Sequence, residues 1–169
     1  MSGIRLARIL FFAIVLAAIA QCIHDYPLLP ERMASHFGAS GMPNGWMPKS
    51  TFFMTFGLTL LPALLVEFWV AHAIAKKPDA KINLPNKAYW LSPEHRAETF
   101  AYFENFFAWY GCAFLFVVVY TLGLAMRANF VSPPLLPTGP IVSVIGGFVL
   151  FNIAAVAAIY RRFSMPQKT

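Results

Sequence analysis

Four apolar stretches, residues 4–23, 51–75, 106–126 and 140–160, dominate this chain, and each is about as long as the ~20-residue helix that crosses a bilayer's hydrocarbon core. The first is interrupted between Ile9 and Ile23 only by Gln21. A chain of 169 residues could form one small domain, but soluble domains of this size seldom carry as little charge as the 12% found here. The expected fold is therefore an all-α polytopic membrane protein with four transmembrane helices. It forms one domain over residues 1–169, with an outer loop at 24–50 and a cytoplasmic loop at 76–105. Arg5 and Arg8 ahead of the apolar run that starts at Ile9 would also suit a cleaved signal peptide. The stretch exceeds an ordinary signal core, and Ala18-Ile19-Ala20 is a poor cleavage site, so a retained first helix is expected.

Basic residues set the orientation. Arg5, Arg8, Lys76, Lys77, Lys81, Lys87, Arg96, Arg161, Arg162 and Lys168 fall on the N-terminus, the middle loop and the C-terminus, whereas Arg32, Lys49 and Arg127 fall on the other two loops. Ten against three places both termini in the cytoplasm. The net charge of +6 then describes flanks that face anionic lipid, and calls for no nucleic-acid partner. Cys22 and Cys112 lie at different expected depths, which argues against a disulfide between them.

The outer loop is dense in turn formers, with Pro27, Pro30, Pro43, Pro48, Gly38, Gly41 and Gly45. One short helical turn over 31–37 is the regular structure expected in it. Pro62 should kink the second helix, because its ring removes a backbone donor and clashes with the preceding turn. Ser92-Pro93-Glu94 reads as a helix start, with Ser as cap and proline in the first position. From there a helical pattern runs to Met126, about 34 residues or about 51 Å. Its first turns should project or tilt at the cytoplasmic interface, with Phe100, Tyr102, Phe103 and Trp109 as anchors. Residues 161–169 read as a frayed tail.

Two polar constellations are candidates for function. In the outer loop, His36 and Lys49 can hydrogen-bond within a compact Pro/Gly cap whose Phe37 and Trp46 insert at the interface. The same loop can instead be a docking surface for an extracytoplasmic peptide, or His24, Asp25, Glu31 and His36 can hold a metal, although no paired-histidine element supports the metal reading. In the membrane, Glu67 lies about 6 Å to the cytoplasmic side of the second span's centre, where a bare carboxylate is costly. Arg8, Asn152 and Tyr110 are its expected partners. An Arg8–Glu67 pair that fixes helix register competes with a proton- or ligand-coupled site. His72, five residues on, is about 140° round an α-helix from Glu67, which argues against a joint site. No nucleotide loop, nucleophile elbow or Cys-x-x-Cys element occurs, so no enzyme activity and no cofactor are expected.

Tyr26-Pro27, Leu29-Pro30, Ser35-His36-Phe37, Gly41, Pro43, Asn44-Gly45-Trp46 and Lys49 together resemble the pattern of the bacterial and archaeal membrane proteins grouped as domain of unknown function 1648. The resemblance covers about residues 10 to 60. A second stretch, Ile82 to Lys87 with Asn83 and Pro85, then Tyr89-Trp90-Leu91 and Arg96, is similar to the cytoplasmic segment that follows this domain in short members. The domain also opens the immunity proteins that protect sporulating bacteria from their own sporulation-delaying toxin, but the arginine-rich second helix pair of those proteins is not found here. The resemblance implies a bacterial inner-membrane protein with an immunity- or signalling-like role, or a subunit of a larger membrane complex. Such a protein would act through the His36-Phe37 loop on an extracytoplasmic peptide or a partner subunit. The alternative is a transporter-like component coupled through Glu67.

Overall fold

The computed structural model describes residues 3–164; of the expected frayed tail, residues 161–164 are helical instead, held by the burial of Phe163, and residues 165–169, with Lys168, lie outside the described residues. The main elements are α1 (Gly3–Asp25, extended by a 3₁₀ turn at Tyr26–Leu28), β1 (Arg32–Phe37), β2 (Pro43–Pro48), α2 (Lys49–Ala75), a short α3 (Lys87–Trp90), α4 (Arg96–Ala128) and α5 (Thr138–Ser164). The four long helices, α1, α2, α4 and α5, are apolar and long enough to cross a membrane. The protein is a mostly helical, multi-pass membrane protein.

Helix α4 is the axis of the bundle, because α1, α2 and α5 all pack on it. In lipid the apolar side chains gain nothing by turning inward, so close helix contact depends on small residues. Ala7 on α1, Ala63 on α2 and Ala108 on α4 are fully buried where these helices meet, around Phe11, Cys112 and Leu115. The Cys112 thiol donates to the Ala7 carbonyl at 3.0 Å. Cys112 and Cys22 are both free, as expected.

The outer loop departs from its expectation. Residues 32–37 form a strand instead of a helical turn, paired antiparallel with β2 from Arg32 opposite Pro48 to Phe37 opposite Pro43. The stretch between Pro30 and Gly38 is too short for a stable helix, and the strand finds a partner for its backbone outside the hairpin. The Asn129 amide, just past the end of α4, accepts from the Ala34 N–H at 2.7 Å and donates to the Ala34 carbonyl at 3.0 Å. It thus imitates another strand's backbone. At the tip, Gly41 takes a φ of +79°, and a side chain there would collide with the Leu136 carbonyl. The Leu136 N–H in turn donates to the Gly41 carbonyl at 2.9 Å, which fixes the hairpin to the loop between α4 and α5. Beneath the hairpin, Met33 packs with Ala18, Leu29, Phe52, Phe56 and Met126.

Pro62 acts as expected: α2 is interrupted at Leu60, two residues before it. A second irregularity was not expected, a π-helical turn over Val66–Val70. At the opposite end of the bundle, α4 begins at Arg96 and not at Pro93. Residues 91–95 fold into turns, with the Ser92 carbonyl accepting from the His95 and Arg96 N–H groups and the His95 ring stacked on Tyr89 at 4.1 Å. The Ser92 side chain hydrogen-bonds Glu94, which holds that exposed carboxyl below its ordinary range. The first turns of α4 pack on the end of α5, with Phe103 buried against Phe163.

This packing continues into a latch on α5. Asn86, in the left-handed region at φ 48°, donates from its amide to the carbonyls of Phe163 and Ser164 at 3.1 and 2.7 Å. Trp90 donates from its indole to the Phe163 carbonyl at 2.9 Å, so carbonyls that the helix end leaves open are satisfied. Within the membrane α5 packs chiefly on α4, and this latch holds its far end.

Replacing Asn129 by Ala leaves both backbone groups of the buried Ala34 without partners. Thermal unfolding in detergent should show a loss of about 1–3 kcal/mol, accompanied by faster proteolysis in the hairpin and not between α3 and α4.

Candidate functional site

Among the described residues, three buried side-chain polar atoms lack a hydrogen-bond partner, and all three lie together: Arg8 Nε and both carboxylate oxygens of Glu67. The Glu67 side chain has no solvent exposure. Arg8 Nε approaches Glu67 Oε1 to 3.9 Å, near enough to compensate charge but too far for a hydrogen bond. Its Nη2 instead donates to Glu104 at 3.2 Å. One guanidinium therefore serves two carboxylates, and the buried one gets the weaker contact.

The sequence builds this arrangement from three local features. Gly111 on α4 admits Glu67: an added Cβ would stand 2.7 Å from Glu67 Oε2 and 3.2 Å from its Cα. Glu104, two turns before Gly111, occupies the same face of α4. The π turn in α2 closes over five residues, so Glu67 and His72, five apart, come to nearly the same side. This overturns the expectation that they cannot share a site, which assumed a regular α-helix. The three helices enclose a cleft of about 350 Å³ with Arg8, Glu67, His72 and Glu104 as its polar groups. Phe68 and Phe100 form aromatic walls, and Ala71, Ala75, Ala97 and Ala101 keep the space open. Two carboxyl groups, Glu67 and Glu104, thus face one guanidinium in the cleft.

Asn152 and Tyr110 do not join Glu67. Tyr110 donates to Asn152 Oδ1 at 2.7 Å, and the Asn152 amide donates to the Phe148 carbonyl within α5. Tyr110 precedes Gly111 by one residue, about 100° round α4, and so faces α5 while Gly111 faces α2. Sequence reasoning missed Glu104 and the role of Gly111. Their seven-residue spacing was the available signal, but only the helix crossing shows that Gly111 meets Glu67.

The outer-loop residues form a separate group at the hairpin end. His36 Nδ1 pairs with Asn44 Oδ1 across the strands, and Gly45 opposite His36 leaves it room, since an added Cβ would lie 2.8 Å from the His36 Cβ. Lys49 is buried, bonded to the Leu29 carbonyl at 3.1 Å and to Glu31 at 2.8 Å, with its ammonium over the Tyr26 ring. Phe37 and Pro43 are half-buried, Pro30 is exposed, and Trp46 is exposed beside them. These are the contacts of a compact cap. The metal alternative is not supported: His24 pairs with Asp25, Glu31 with Lys49 and His36 with Asn44, and among the described residues no three metal-ligating side chains converge. Of the second motif, Tyr89 and Trp90 belong to the α5 latch, while Asn83 and Pro85 line a groove against Val156, Ile159 and Tyr160. The latch's other donor, Asn86, was not among the expected site residues; asparagine's tolerance of the left-handed region was the signal for it.

Four apolar helices and a polar cleft among three of them define a small integral membrane protein. The family model described as Domain of unknown function (DUF1648) matches residues 9–66, from within α1 through the hairpin to the start of the π turn. The match covers the first helix from Ile9, the hairpin and the second helix as far as Val66, while Glu67, His72 and Glu104 lie beyond the matched residues. No curated protein and no solved structure matches the chain.

Gly111→Ala should push α2 away from α4 and cost about 1–3 kcal/mol in detergent unfolding, as overpacking does. Gly146→Ala on α5, where an added Cβ meets nothing within 4 Å, should leave the unfolding temperature unchanged.

Proposed function

We propose that this is a transporter-like component of a bacterial inner membrane, with both termini in the cytoplasm, whose working site is the Arg8–Glu67–Glu104–His72 cleft. It binds and couples; we assign it no enzyme chemistry. One observation carries this reading: a fully buried Glu67 carboxylate without a hydrogen-bond partner, beside open space. A charge so placed works against stability, because a buried ion gains from its partner only when good hydrogen bonds accompany the pair. A pair serving only to fix helix register would be better made with direct contact. Two carboxyl groups against one guanidinium favour a positively charged occupant. The ten basic residues of the termini and middle loop support this orientation, in which the cleft lies toward the cytoplasmic side.

A second reading makes the protein a small interaction or accessory subunit that docks a peptide or partner through the His36-Phe37 hairpin. It is favoured by the exposure of Trp46 and Met42 on the hairpin, 43% and 49%. Amphipathic aromatic residues also suit the membrane interface without any protein partner, and the hairpin's polar groups are already satisfied internally.

Glu67→Gln separates the readings. Proteoliposomes on a solid-supported membrane, given concentration jumps of salts and pooled small solutes, should show a transient current that Glu67→Gln abolishes and His36→Ala preserves. Detergent unfolding of Glu67→Gln should be unchanged or improved by up to about 2 kcal/mol. A loss of about 3–5 kcal/mol would instead mark a structural pair. Currents unaffected by Glu67→Gln, together with a co-purifying partner lost on His36→Ala, would establish the interaction reading.

A further inference from the structure

We propose that the cleft takes a protonated organic amine with an apolar or aromatic body, whose ammonium group displaces the Arg8 guanidinium from Glu67. This rests on the reading of the cleft as the working site, and names its ligand class.

The donor set separates an amine from a metal cation. Two carboxyl groups, Glu67 and Glu104, are the acidic groups in the cleft, Arg8 and His72 are its basic ones, and the remaining walls are Phe68, Phe100 and alanines; among the described residues no three metal-ligating side chains converge. A hard cation needs about six or more oxygen ligands, and these walls add no hydroxyl or carboxamide oxygen to the four carboxylate oxygens. An ammonium group needs only a few acceptors, and Glu67 offers two oxygens that no protein donor uses. The aromatic walls favour the same choice. Phe68 already has the Arg8 guanidinium 5.8 Å from its ring centre, and Phe100 has that of Arg96 at 4.9 Å, so both rings face positive charge in the unliganded protein. The volume, about 350 Å³, is at the lower end of that of small-molecule sites.

Arg8 is then a resident competitor. Its side chain is 40% exposed and bonded to a Glu104 that is itself 54% exposed, so the guanidinium can swing outward with Glu104 while an incoming ammonium takes its place at Glu67. The exchange keeps the buried carboxylate compensated throughout. It also accounts for the long Arg8–Glu67 approach: a direct bidentate pair would resist displacement.

The test is binding of phenethylammonium to the full-length protein in nanodiscs, by calorimetry, against the neutral 3-phenylpropan-1-ol and against sodium and potassium chloride. Phenethylammonium should bind and the alcohol should not. Glu67→Gln should weaken binding by about 30-fold or more, as loss of one partner of a buried charge pair does. Arg8→Gln should tighten it by removing the competitor. Equal binding of amine and alcohol, or amine binding unaffected by Glu67→Gln, overturns the proposal. Binding of sodium or potassium but not of the amine overturns the amine class and leaves the cleft as a cation site. No binding by any probe, with solute currents insensitive to Glu67→Gln, overturns both.

Discussion

Inside the membrane, the Glu67 carboxylate lies against the backbone of Gly111, and the end of the bundle away from the hairpin is arranged around that contact. Without a side chain at 111, α2 can approach α4 closely enough to remove Glu67 from solvent altogether. Burial of the charge then requires a counter-ion, and α1 supplies Arg8 from the third side. The π turn follows from the same crossing: one extra residue in α2 brings His72 round to the cleft that Glu67 occupies. Alanines at 71, 75, 97 and 101 leave that space unfilled. Each feature alone has a bland explanation in helix packing. Together they keep a charged group, a cavity and a helix irregularity in one place.

The hairpin end follows the opposite logic. Lys49 is nearly as buried as Glu67 but has a carbonyl, a carboxylate and an aromatic ring as partners, and the strand's backbone is completed by Asn129. The Asn86–Trp90 latch likewise satisfies the last carbonyls of α5. Where polar groups are meant only to hold this protein together, they are paired within about 3 Å. The contrast with Glu67 is the physical reason to read the cleft as a place of exchange and the hairpin as a cap.

Much of the fold was legible because a bilayer imposes it. Spans of about twenty apolar residues, the break before Pro62 and the length of α4 could be read from residue type alone. What stayed hidden depended on tertiary context. Residues 32–37 became a strand because Asn129, some 95 residues away, completes their hydrogen bonds. His72 joined Glu67 only because α2 departs from α-helical geometry. Arg8 was legible as a partner from its depth, whereas Tyr110 and Asn152 matched Glu67 in depth but not in azimuth, which depends on which face of α4 each neighbour takes. Glu104 was overlooked because a glutamate near a helix end ordinarily faces water.

The central claim is that a small cation reaches the cleft beside Glu67 in preference to an anion. With Cys22 and Cys112 replaced by alanine, a single cysteine at Ala101 places a thiol on the exposed cleft wall. Its rates of modification by a positively charged ethylammonium methanethiosulfonate and a negatively charged ethylsulfonate one can then be compared, with and without Glu67→Gln. The account predicts faster reaction with the cation, and loss of that preference in the Glu67→Gln background. Equal rates for the two reagents, or a preference indifferent to residue 67, would contradict it.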